Sequence, residues 1–534
     1  MKKKYLFLPL IIFLVIFSGC NKSKTPQLKT VNFGDYSLAR LRLSYPEKLS
    51  PSEKNTVDYL IQAAAYADSI FLMQSAGDFS NLRNTLKGKE LLRFNINFGP
   101  WDRFLNNQPF VENVPPKPKG AFFYPLNMVK QEFEQYKDSC KYSNFTILRR
   151  NQSGNLYCVP YRVFYRKYLD STIKYLKKAV KVTKDTSLKS YLKILITSLN
   201  TDNYYPLYRK FIKLNSRVEF VFGPVSISED RLFNIKADYQ SFVLIKIDSL
   251  SKKFNQYVQW LKYLQKALPV PEQYRREDPG ANSIISVYQA IYLGGSARAG
   301  APIIATTLPF NTKFQTREGT KNLQFLNIID AKYKGIMQPL ARLVLINSQR
   351  KYVTINAFRN LTLLYEIGNS LGIRNTINGK GSVRNALKEY YNVTENIKNY
   401  LMVLYLAEKL YSVGELSGDL KEYYYTFAVN LIRGIRWGSE DEFGLANLVI
   451  LNYLKKDGAI DFLPSSEIII HYLQMKKSVE KLLSHILILQ GNGDYINTAK
   501  FILTNKYLSV DLQNLLKKIK EKNIPSDIYF QQVK

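Results

Sequence analysis

The chain has 534 residues, 46% of them hydrophobic, and a formal net charge of +33 at pH 7. This length exceeds what one hydrophobic core normally organises, so the sequence predicts two or more lobes. The excess of Lys and Arg favours anionic partners such as phosphorylated lipid headgroups, acidic polymers or acidic peptides. Nucleic acid is a poor candidate partner, because the sequence has no zinc-finger or RNP-type motif and begins with features of an exported protein.

The first twenty residues have a basic, then apolar, then small-residue order. Three lysines follow Met1, an apolar stretch covers 5–17, and Ser-Gly precedes Cys20. The apolar stretch is too short to span a bilayer comfortably, so we expect a lipoprotein signal over 1–19 that is cleaved before Cys20 rather than kept as an anchor. Residues 20–32 are then a polar tether whose first cysteine carries the lipid. The predicted location is the cell envelope, with the body facing the periplasm and the outer membrane as the expected site of attachment.

The first predicted helix of the body begins at Pro51. Ser50 supplies an N-cap, and Glu53 stands three residues later, as in a capping box. Apolar residues follow at helical spacing as far as Phe71. From residue 95 to 125, glycines and prolines interrupt the pattern, which indicates an ordered, aromatic-rich loop region.

Two further cysteines, Cys140 and Cys158, follow this loop region. In an exported protein they lie in a compartment that can oxidise thiols. Their spacing is compatible with a disulfide bridge and equally with two free, buried thiols. The sequence therefore leaves both alternatives open.

Long helical patterns follow over 160–200 and 229–266, and the second is closed by Leu-Pro-Val-Pro at 268–271. We place a lobe boundary at this double proline. The N-terminal lobe is predicted to cover 33–270 and the second lobe 271–534.

Beyond the boundary, residues 283–292 and 301–308 are predicted as short extended or mixed segments. From Gly319 onward nearly all of the chain has helical periodicity. The sequence thus predicts a mainly α protein of the α+β class, with a minor β content.

A series of motifs follows one order along the chain. They include Asn-Phe-Gly-Pro-Trp-Asp-Arg at 97–103, Phe-Gly-Pro at 222–224, Gly-Ala-Asn-Ser-Ile-Ile-Ser-Val-Tyr-Gln-Ala-Ile-Tyr at 280–292, Leu-Pro at 308–309, Gly-Thr at 319–320, a predicted helix over 361–373, Thr-Ile-Asn-Gly-Lys-Gly at 376–381, Arg-Gly-Ile-Arg-Trp-Gly at 433–438 and Leu-Gln-Gly-Asn-Gly-Asp-Tyr at 489–495. Together they resemble the dipeptidyl peptidase III family of zinc metallopeptidases, particularly its shorter bacterial members.

This resemblance implies two lobes facing a wide cleft, with a zincin-like helix pair in the more helical lobe. In active relatives the cleft binds an oligopeptide in an extended form and dipeptides are released from its N-terminus. The shorter family members hold zinc through His-Glu-x-x-His and through the second residue of a Glu-Glu pair on the next long helix.

The chain departs from the family pattern at all three zinc ligands. Matching the motif puts Glu366 at the general-base position, but Tyr365 and Asn369 at the two histidines. The pair on the next helix reads Glu395-Asn396, so Asn396 takes the third ligand position. A phenol that titrates near pH 10 and two neutral amides are poor zinc ligands. We therefore expect no cofactor, although active relatives use zinc.

Other polar positions also differ from the family pattern. Gln289 and Ser296 stand where the family has aspartates, and Phe443 stands where it has a histidine. The chain has only two histidines, His471 and His485, and they are too far apart to form the one-turn chelate of a helical zinc site. The glycines of the family motifs are retained, although these polar residues are replaced. This combination indicates that the fold is maintained while the requirement for catalysis is relaxed.

Arg433 and Arg436 are retained. Either could bind a peptide carboxylate, pair with Glu395, or serve as a structural ion-pair partner. Glu366 can likewise be an ordinary half-buried carboxylate. The leading hypothesis is a catalytically inactive homologue whose cleft binds a peptide or protein. The alternatives are a residual or metal-independent hydrolase that uses Glu366 and Glu395 as acid and base, and a cationic envelope scaffold that contacts anionic components.

Overall fold

The computed structural model describes residues 29–45, 48–279, 283–438 and 441–532. The predicted signal, Cys20 and most of the predicted tether lie outside the described residues, as do Gly280, Ala281 and Asn282 of the family-like motif. Within the described ranges, no helix combines the length and the apolar character needed to cross a membrane.

Helices account for most of the described chain. They are α1 (Pro51–Ala64), α2 (Tyr66–Ala76), α3 (Gly88–Asn97), α4 (Lys130–Gln135), α5 (Tyr161–Phe164), α6 (Arg166–Val182), α7 (Thr186–Thr201), α8 (Tyr205–Ile212), α9 (Asp248–Val258), α10 (Leu261–Lys266), α11 (Thr312–Glu318), α12 (Leu326–Lys332), α13 (Gln338–Val344), α14 (Ile355–Gly368), α15 (Val383–Leu387), α16 (Tyr391–Ser412), α17 (Leu420–Ile435), α18 (Glu442–Lys456), α19 (Tyr472–Asn492), α20 (Tyr495–Asn505) and α21 (Val510–Glu521). The mainly α character predicted from the sequence is confirmed.

The strands form one five-stranded sheet and several smaller ones. They are β1 (Thr30–Asn32), β2 (Ser37–Arg42), β3 (Trp101–Asp102), β4 (Gln108–Pro109), β5 (Thr146–Arg150), β6 (Leu156–Pro160), β7 (Val218–Ser226), β8 (Asp238–Lys246), β9 (Ser283–Gly295), β10 (Ala305–Leu308), β11 (Thr320–Phe325), β12 (Ile460–Phe462), β13 (Ile468–Ile470) and β14 (Asp527–Gln531). The five-stranded sheet has the order β10-β11-β9-β8-β7 and is antiparallel except between β11 and β9. Strand β10 therefore lies at its edge.

Helix α1 starts at the residue that the local sequence predicted. The Ser50 hydroxyl accepts a hydrogen bond from the Glu53 backbone N–H at 3.3 Å, and the Glu53 carboxylate accepts one from the Ser50 N–H at 2.8 Å. This reciprocal pair satisfies N–H groups that a helix start otherwise leaves without partners. The predicted helix is confirmed, but it is interrupted at Ala65, and Phe71 belongs to α2.

The first hydrophobic core lies between the five-stranded sheet and the helices α1, α2 and α6 to α8. Strands β7 and β8 are almost entirely buried, although both contain polar residues. The sheet includes strands from both sides of residue 271. We refer to this part of the molecule as the sheet lobe.

The second core is formed by the long helices α14, α16, α17, α18 and α19, together with α9 and α10. We refer to it as the helical lobe. At the end of the chain β14 pairs with β2, so the C-terminus returns to the N-terminal strands. The division of the chain into domains at residue 270 stays a prediction.

One of the predicted helical patterns was wrong. Residues 160–200 are helical as predicted, but within 229–266 only α9 and α10 are helices, and β8 occupies Asp238–Lys246. Strand β8 is buried on both faces, so its sequence lacks the apolar–polar alternation of a half-buried strand, and periodicity alone did not distinguish it from a helix. Strand β11 is also almost entirely buried, and it interrupts the helical pattern predicted from Gly319 onward.

Cys140 and Cys158 form a disulfide bridge, which resolves the alternative that the sequence left open. The two cysteines are separated by 18 residues, and the bridge joins Cys158 of strand β6 to the segment that precedes β5. Replacing both cysteines by Ala is expected to lower the free energy of unfolding by about 3 kcal/mol, because a cross-link of this loop length restricts the unfolded chain. Denaturant unfolding of the variant and of the reduced wild-type protein should show similar losses. An unchanged free energy in both would contradict the prediction.

Candidate functional site

The helix that carries the candidate site, α14, ends earlier than predicted. It starts at a Thr354 cap and ends at Gly368, whereas the sequence predicted a helix as far as residue 373. Beyond it the chain turns, and Gly372 has a φ of 105°, a backbone conformation that glycine adopts without steric cost. Two carbonyl groups of this turn accept hydrogen bonds from elsewhere in the helical lobe, since Lys398 Nζ donates to Leu371 O at 3.0 Å and Gln265 Nε2 to Gly372 O at 2.9 Å.

Helix α14 packs closely against α16. A Cβ atom at Gly368 would lie 3.4 Å from Met402 Cγ, at ordinary van der Waals distance, so the two helices are in direct contact here. This contact brings the side chains that the family resemblance matched to the zinc positions into one region. Tyr365 and Glu366 lie in the last turn of α14, Asn369 follows that turn, and Asn396 lies on α16.

The two matched positions on different helices contact each other directly. Tyr365 donates its hydroxyl hydrogen to Asn396 Oδ1 at 3.3 Å, and its ring meets that of Tyr400 edge-on at 5.5 Å. Burial raises the pKa of Tyr365 well above its ordinary value. The phenol is therefore protonated and acts as a hydrogen-bond donor at neutral pH.

Glu366 connects the two lobes. Its Oε2 atom accepts hydrogen bonds from Thr307 Oγ1 at 3.3 Å and from Asn369 Nδ2 at 3.2 Å. Thr307 belongs to the edge strand β10, and its hydroxyl in turn accepts from Asn322 Nδ2 at 2.8 Å. The retained carboxyl thus lies where the sheet lobe meets the helical lobe. Sequence reasoning missed Thr307, although the adjoining Leu-Pro motif at 308–309 marked this segment.

The side chains at the matched zinc positions are not suitable zinc ligands. Tyr365 is a protonated phenol, while Asn369 and Asn396 are neutral amides, so Glu366 is the one anionic group among the four. Zinc sites in proteins use imidazole, thiolate and carboxylate ligands. Over the described ranges, no group of three His, Cys, Asp or Glu side chains could hold a metal ion.

Glu395 is occupied by other partners. Its Oε1 atom accepts from Lys398 Nζ at 2.5 Å and its Oε2 atom from Gln490 Nε2 at 3.1 Å. Lys398 is buried, so this contact neutralises a cation inside the helical lobe. The suggestion that one of the two arginines pairs with Glu395 was wrong.

Arg433 and Arg436 stabilise the fold through neutral partners. Arg433 donates to Asn430 Oδ1 at 2.9 Å, and its guanidinium lies 4.9 Å from the Trp437 ring. Arg436 donates to Ile524 O at 2.5 Å and to Pro525 O at 2.9 Å, and burial lowers its pKa to about 10. In the part of the chain that the structure describes, neither forms an ion pair, so the structural ion-pair role was wrong as well.

A cleft of about 930 Å³ has Arg436 in its lining, whereas Tyr365, Glu366, Asn369 and Asn396 do not line it. Its walls come from the N-terminal strands, the loop after β3, the start of α18 and helix α21. Residues on its two sides include Tyr36, Arg103, Asn107, Arg231, Arg436, Trp437, Phe443, Leu508 and Lys520. Phe443, which replaces a family histidine, is 42% exposed. The cleft therefore presents an aromatic side chain where the family pattern has an imidazole.

The two histidines do not share a site. His471 lies just before α19 and its ring contacts Asp461 Oδ2 at 2.8 Å. His485 lies within α19 beside the ring of Phe501, and burial lowers the pKa of its imidazole. The two histidines therefore lie in different surroundings in the structure, as their separation along the sequence predicted.

Replacing Glu366 by Gln is expected to raise the melting temperature at pH 8. Burial raises the pKa of Glu366 above its ordinary value of 4.5, so the folded protein prefers the neutral acid and is destabilised once the carboxyl ionises. Gln retains an oxygen that can accept from Thr307 and Asn369 without carrying that charge. The difference should be largest above the folded pKa and should vanish as the pH falls below 4.5.

Thermal unfolding of both proteins between pH 4 and pH 8 would measure this difference. A Gln variant that is less stable at every pH would mean that the negative charge stabilises the fold, contrary to the prediction.

Comparison with known proteins agrees with the fold. No protein-family model matches the chain. The structure of DPP III from Caldithrix abyssi is similar, with 30% sequence identity and a TM-score of 0.89, covering 92% of this chain and 97% of that one. For dipeptidyl-peptidase III from Corallococcus sp. strain EGB the identity is 28% and the TM-score 0.81, covering 92% and 95%. A protein named Nudix hydrolase 3 from Arabidopsis thaliana is 27% identical, covering 92% of this chain and 72% of that protein. The coverage of both chains in the first comparison, together with its identity, shows that this chain belongs to the dipeptidyl peptidase III family.

Proposed function

We propose that this protein is a catalytically inactive member of the family, held in the cell envelope by lipid at Cys20, whose cleft binds a peptide or a protein without cleaving it. The observation that carries the proposal is the hydrogen bond from Tyr365 to Asn396. Two side chains at matched zinc positions satisfy each other there as neutral groups.

The chemistry of the family explains why the replacement of the zinc ligands affects catalysis. Zinc lowers the pKa of a bound water so that a neighbouring glutamate can take its proton at neutral pH. Here Glu366 accepts hydrogen bonds from Thr307 and Asn369 instead. The side chains at the matched zinc positions do not supply the ligands that would hold a metal ion and activate a water for it.

Peptide binding is supported by the position of β10. This strand pairs with β11 on one side and lies at the edge of the five-stranded sheet, and residues 305–307 are partly exposed. An edge strand offers unpaired backbone N–H and C=O groups to an extended peptide. Because Thr307 of the same strand contacts Glu366, a peptide added here would run past the altered site.

Metal analysis tests the loss of zinc. Protein purified without added metal should contain zinc far below one ion per chain, and it should release no dipeptides from short synthetic peptides. Stoichiometric zinc ligated from the α14 helix, with chelator-sensitive release of dipeptides, would overturn the proposal.

Peptide binding needs its own measurement. The purified protein would be incubated with a mixture of short synthetic peptides, separated by gel filtration, and the retained peptides identified by mass spectrometry. We expect intact peptides to be retained and no truncated products to accumulate. Retention of none would argue against a binding cleft.

A metal-independent hydrolase that uses Glu366 and Glu395 is the second candidate. Burial raises the pKa of Glu366, which favours this candidate because acid–base catalysis is most efficient when the pKa lies closer to the working pH. The contacts of Glu395 with Lys398 and Gln490 count against it, because they occupy both carboxylate oxygens. Any hydrolytic activity that is unchanged in the Glu366→Gln variant would eliminate this candidate.

A further inference from the structure

The outer face of α6 carries a row of lysines. Lys174, Lys177, Lys178 and Lys181 are all exposed, whereas the opposite face of the helix buries its apolar side chains in the core of the sheet lobe. The row follows successive helical turns, so its positive charges recur about every 5.4 Å along the axis. We call these four residues the α6 lysine row.

The row borders a shallow groove of about 390 Å³. The groove is lined by Arg166, Asp170, Ile173, Asn200 and the α6 lysine row. Asp170 is the acidic residue of this lining, and it is paired with Arg166 at 2.8 Å. Among the described residues, no carboxylate forms an ion pair with any member of the row. The net charge of the lining is therefore five cations less one anion, or +4.

Two tyrosine rings contact one lysine of the row, Lys178. Lys178 Nζ lies 5.3 Å from the centre of the Tyr175 ring and 5.6 Å from that of Tyr59 on α1. The rings hold an ammonium group at the surface by cation–π attraction without neutralising its charge. Tyrosines are also common where proteins meet the headgroup region of membranes.

We propose that the α6 lysine row docks the protein onto an anionic membrane surface by binding lipid phosphates. Four to eight basic residues on an amphipathic helix are typical of contact with anionic lipid, each worth about 1 kcal/mol near the surface. A deep or aromatic-lined slot would suit a single polymer strand, but this groove is open, and its apolar residue, Ile173, is only 7% exposed.

The proposal draws on the lipid anchor of the proposed function, but not on the loss of zinc. The residues from Cys20 to the start of β1 at Thr30 can span at most about 35 Å, so lipid at Cys20 would keep the body close to the bilayer. At that proximity a weak electrostatic contact suffices to orient the protein.

Vesicle sedimentation tests the docking surface separately from the anchor. The test protein begins at residue 21 and so has no lipidated cysteine, while the hydrophobic cores of the described chain, which begin at Tyr36, are retained. It is mixed with vesicles of phosphatidylcholine alone or with added phosphatidylglycerol. We expect binding to the anionic vesicles only, and we expect it to weaken steeply with salt.

Matched variants locate the contact. Changing the α6 lysine row to Gln (K174Q, K177Q, K178Q and K181Q) should lower the vesicle partition coefficient at least about tenfold. The control changes four exposed lysines of the helical lobe (K500Q, K506Q, K517Q and K522Q), which removes the same charge. It should lower partition no more than about threefold through the general loss of charge. Thermal unfolding would confirm that both variants remain folded.

Several results would overturn the proposal. They are equal binding to neutral vesicles, no binding to anionic ones, or equal losses in the two variants. Salt-sensitive binding to a soluble acidic polymer without vesicle binding would assign the row to a different partner. None of these results would affect the zinc measurement, so failure here is distinguishable from failure of the proposed function.

Discussion

Replacing Glu219 by Gln is expected to lower the free energy of unfolding by about 3–5 kcal/mol, the largest loss that we predict for a single substitution in this protein. Glu219 on β7 accepts from Lys321 Nζ on β11 at 2.6 Å and from the Tyr288 hydroxyl on β9 at 2.7 Å. The side chains of the ion pair are 1% and 0% exposed, so the variant would leave an ammonium group buried without a counter-charge. Burial already lowers the pKa of Lys321, which reflects the cost of its charge.

Denaturant unfolding of two further variants isolates this effect. Glu134→Gln breaks an exposed ion pair with Lys130 and should change the free energy by less than about 0.5 kcal/mol. The double variant Glu219→Leu and Lys321→Leu removes both charges and should be more stable than Glu219→Gln alone. A Glu219→Gln variant as stable as wild type would show that the buried lysine tolerates the loss of its partner.

Rebuilding the ligand set is expected to produce the largest functional change. The triple variant Tyr365→His, Asn369→His and Asn396→Glu should bind about one zinc ion per chain, because it supplies two imidazoles and one carboxylate at positions that the structure brings together. Zinc at a hundred times its Kd would stabilise the folded protein by about 2.7 kcal/mol. A zinc-dependent rise in melting temperature therefore reports binding independently of any activity.

Two controls define the outcome. The wild-type protein should show no such rise, and a variant with the two histidines but with Asn396 retained should bind zinc more weakly, since it lacks the third ligand. If the triple variant remains folded but binds no zinc, the matching of these positions to the family ligands is wrong. Dipeptide release by the triple variant would show in addition that Glu366 can still serve as a base.

Several features were predictable from the sequence because they depend on neighbouring residues. The capping box at Ser50 and Glu53 specifies the start of α1 through hydrogen bonds within one turn. Features that depend on packing were predicted less well. The end of α14 was misplaced because tertiary contacts hold the turn beyond Gly368, where Lys398 and Gln265 donate to the carbonyl groups of residues 371 and 372. Strand β8 was predicted as helix because burial on both faces removes the periodic signal.

The sequence by itself determined the family resemblance and the chemical character of the altered site. The residue types at 365, 369 and 396 exclude imidazole and carboxylate ligands at those positions whatever the fold. Only the tertiary structure decided the partners of the remaining charges. It placed Thr307 against Glu366, Gln490 against Glu395, and Arg436 against the carbonyl groups of residues 524 and 525. All three contacts join residues far apart in the chain, so no local pattern encodes them.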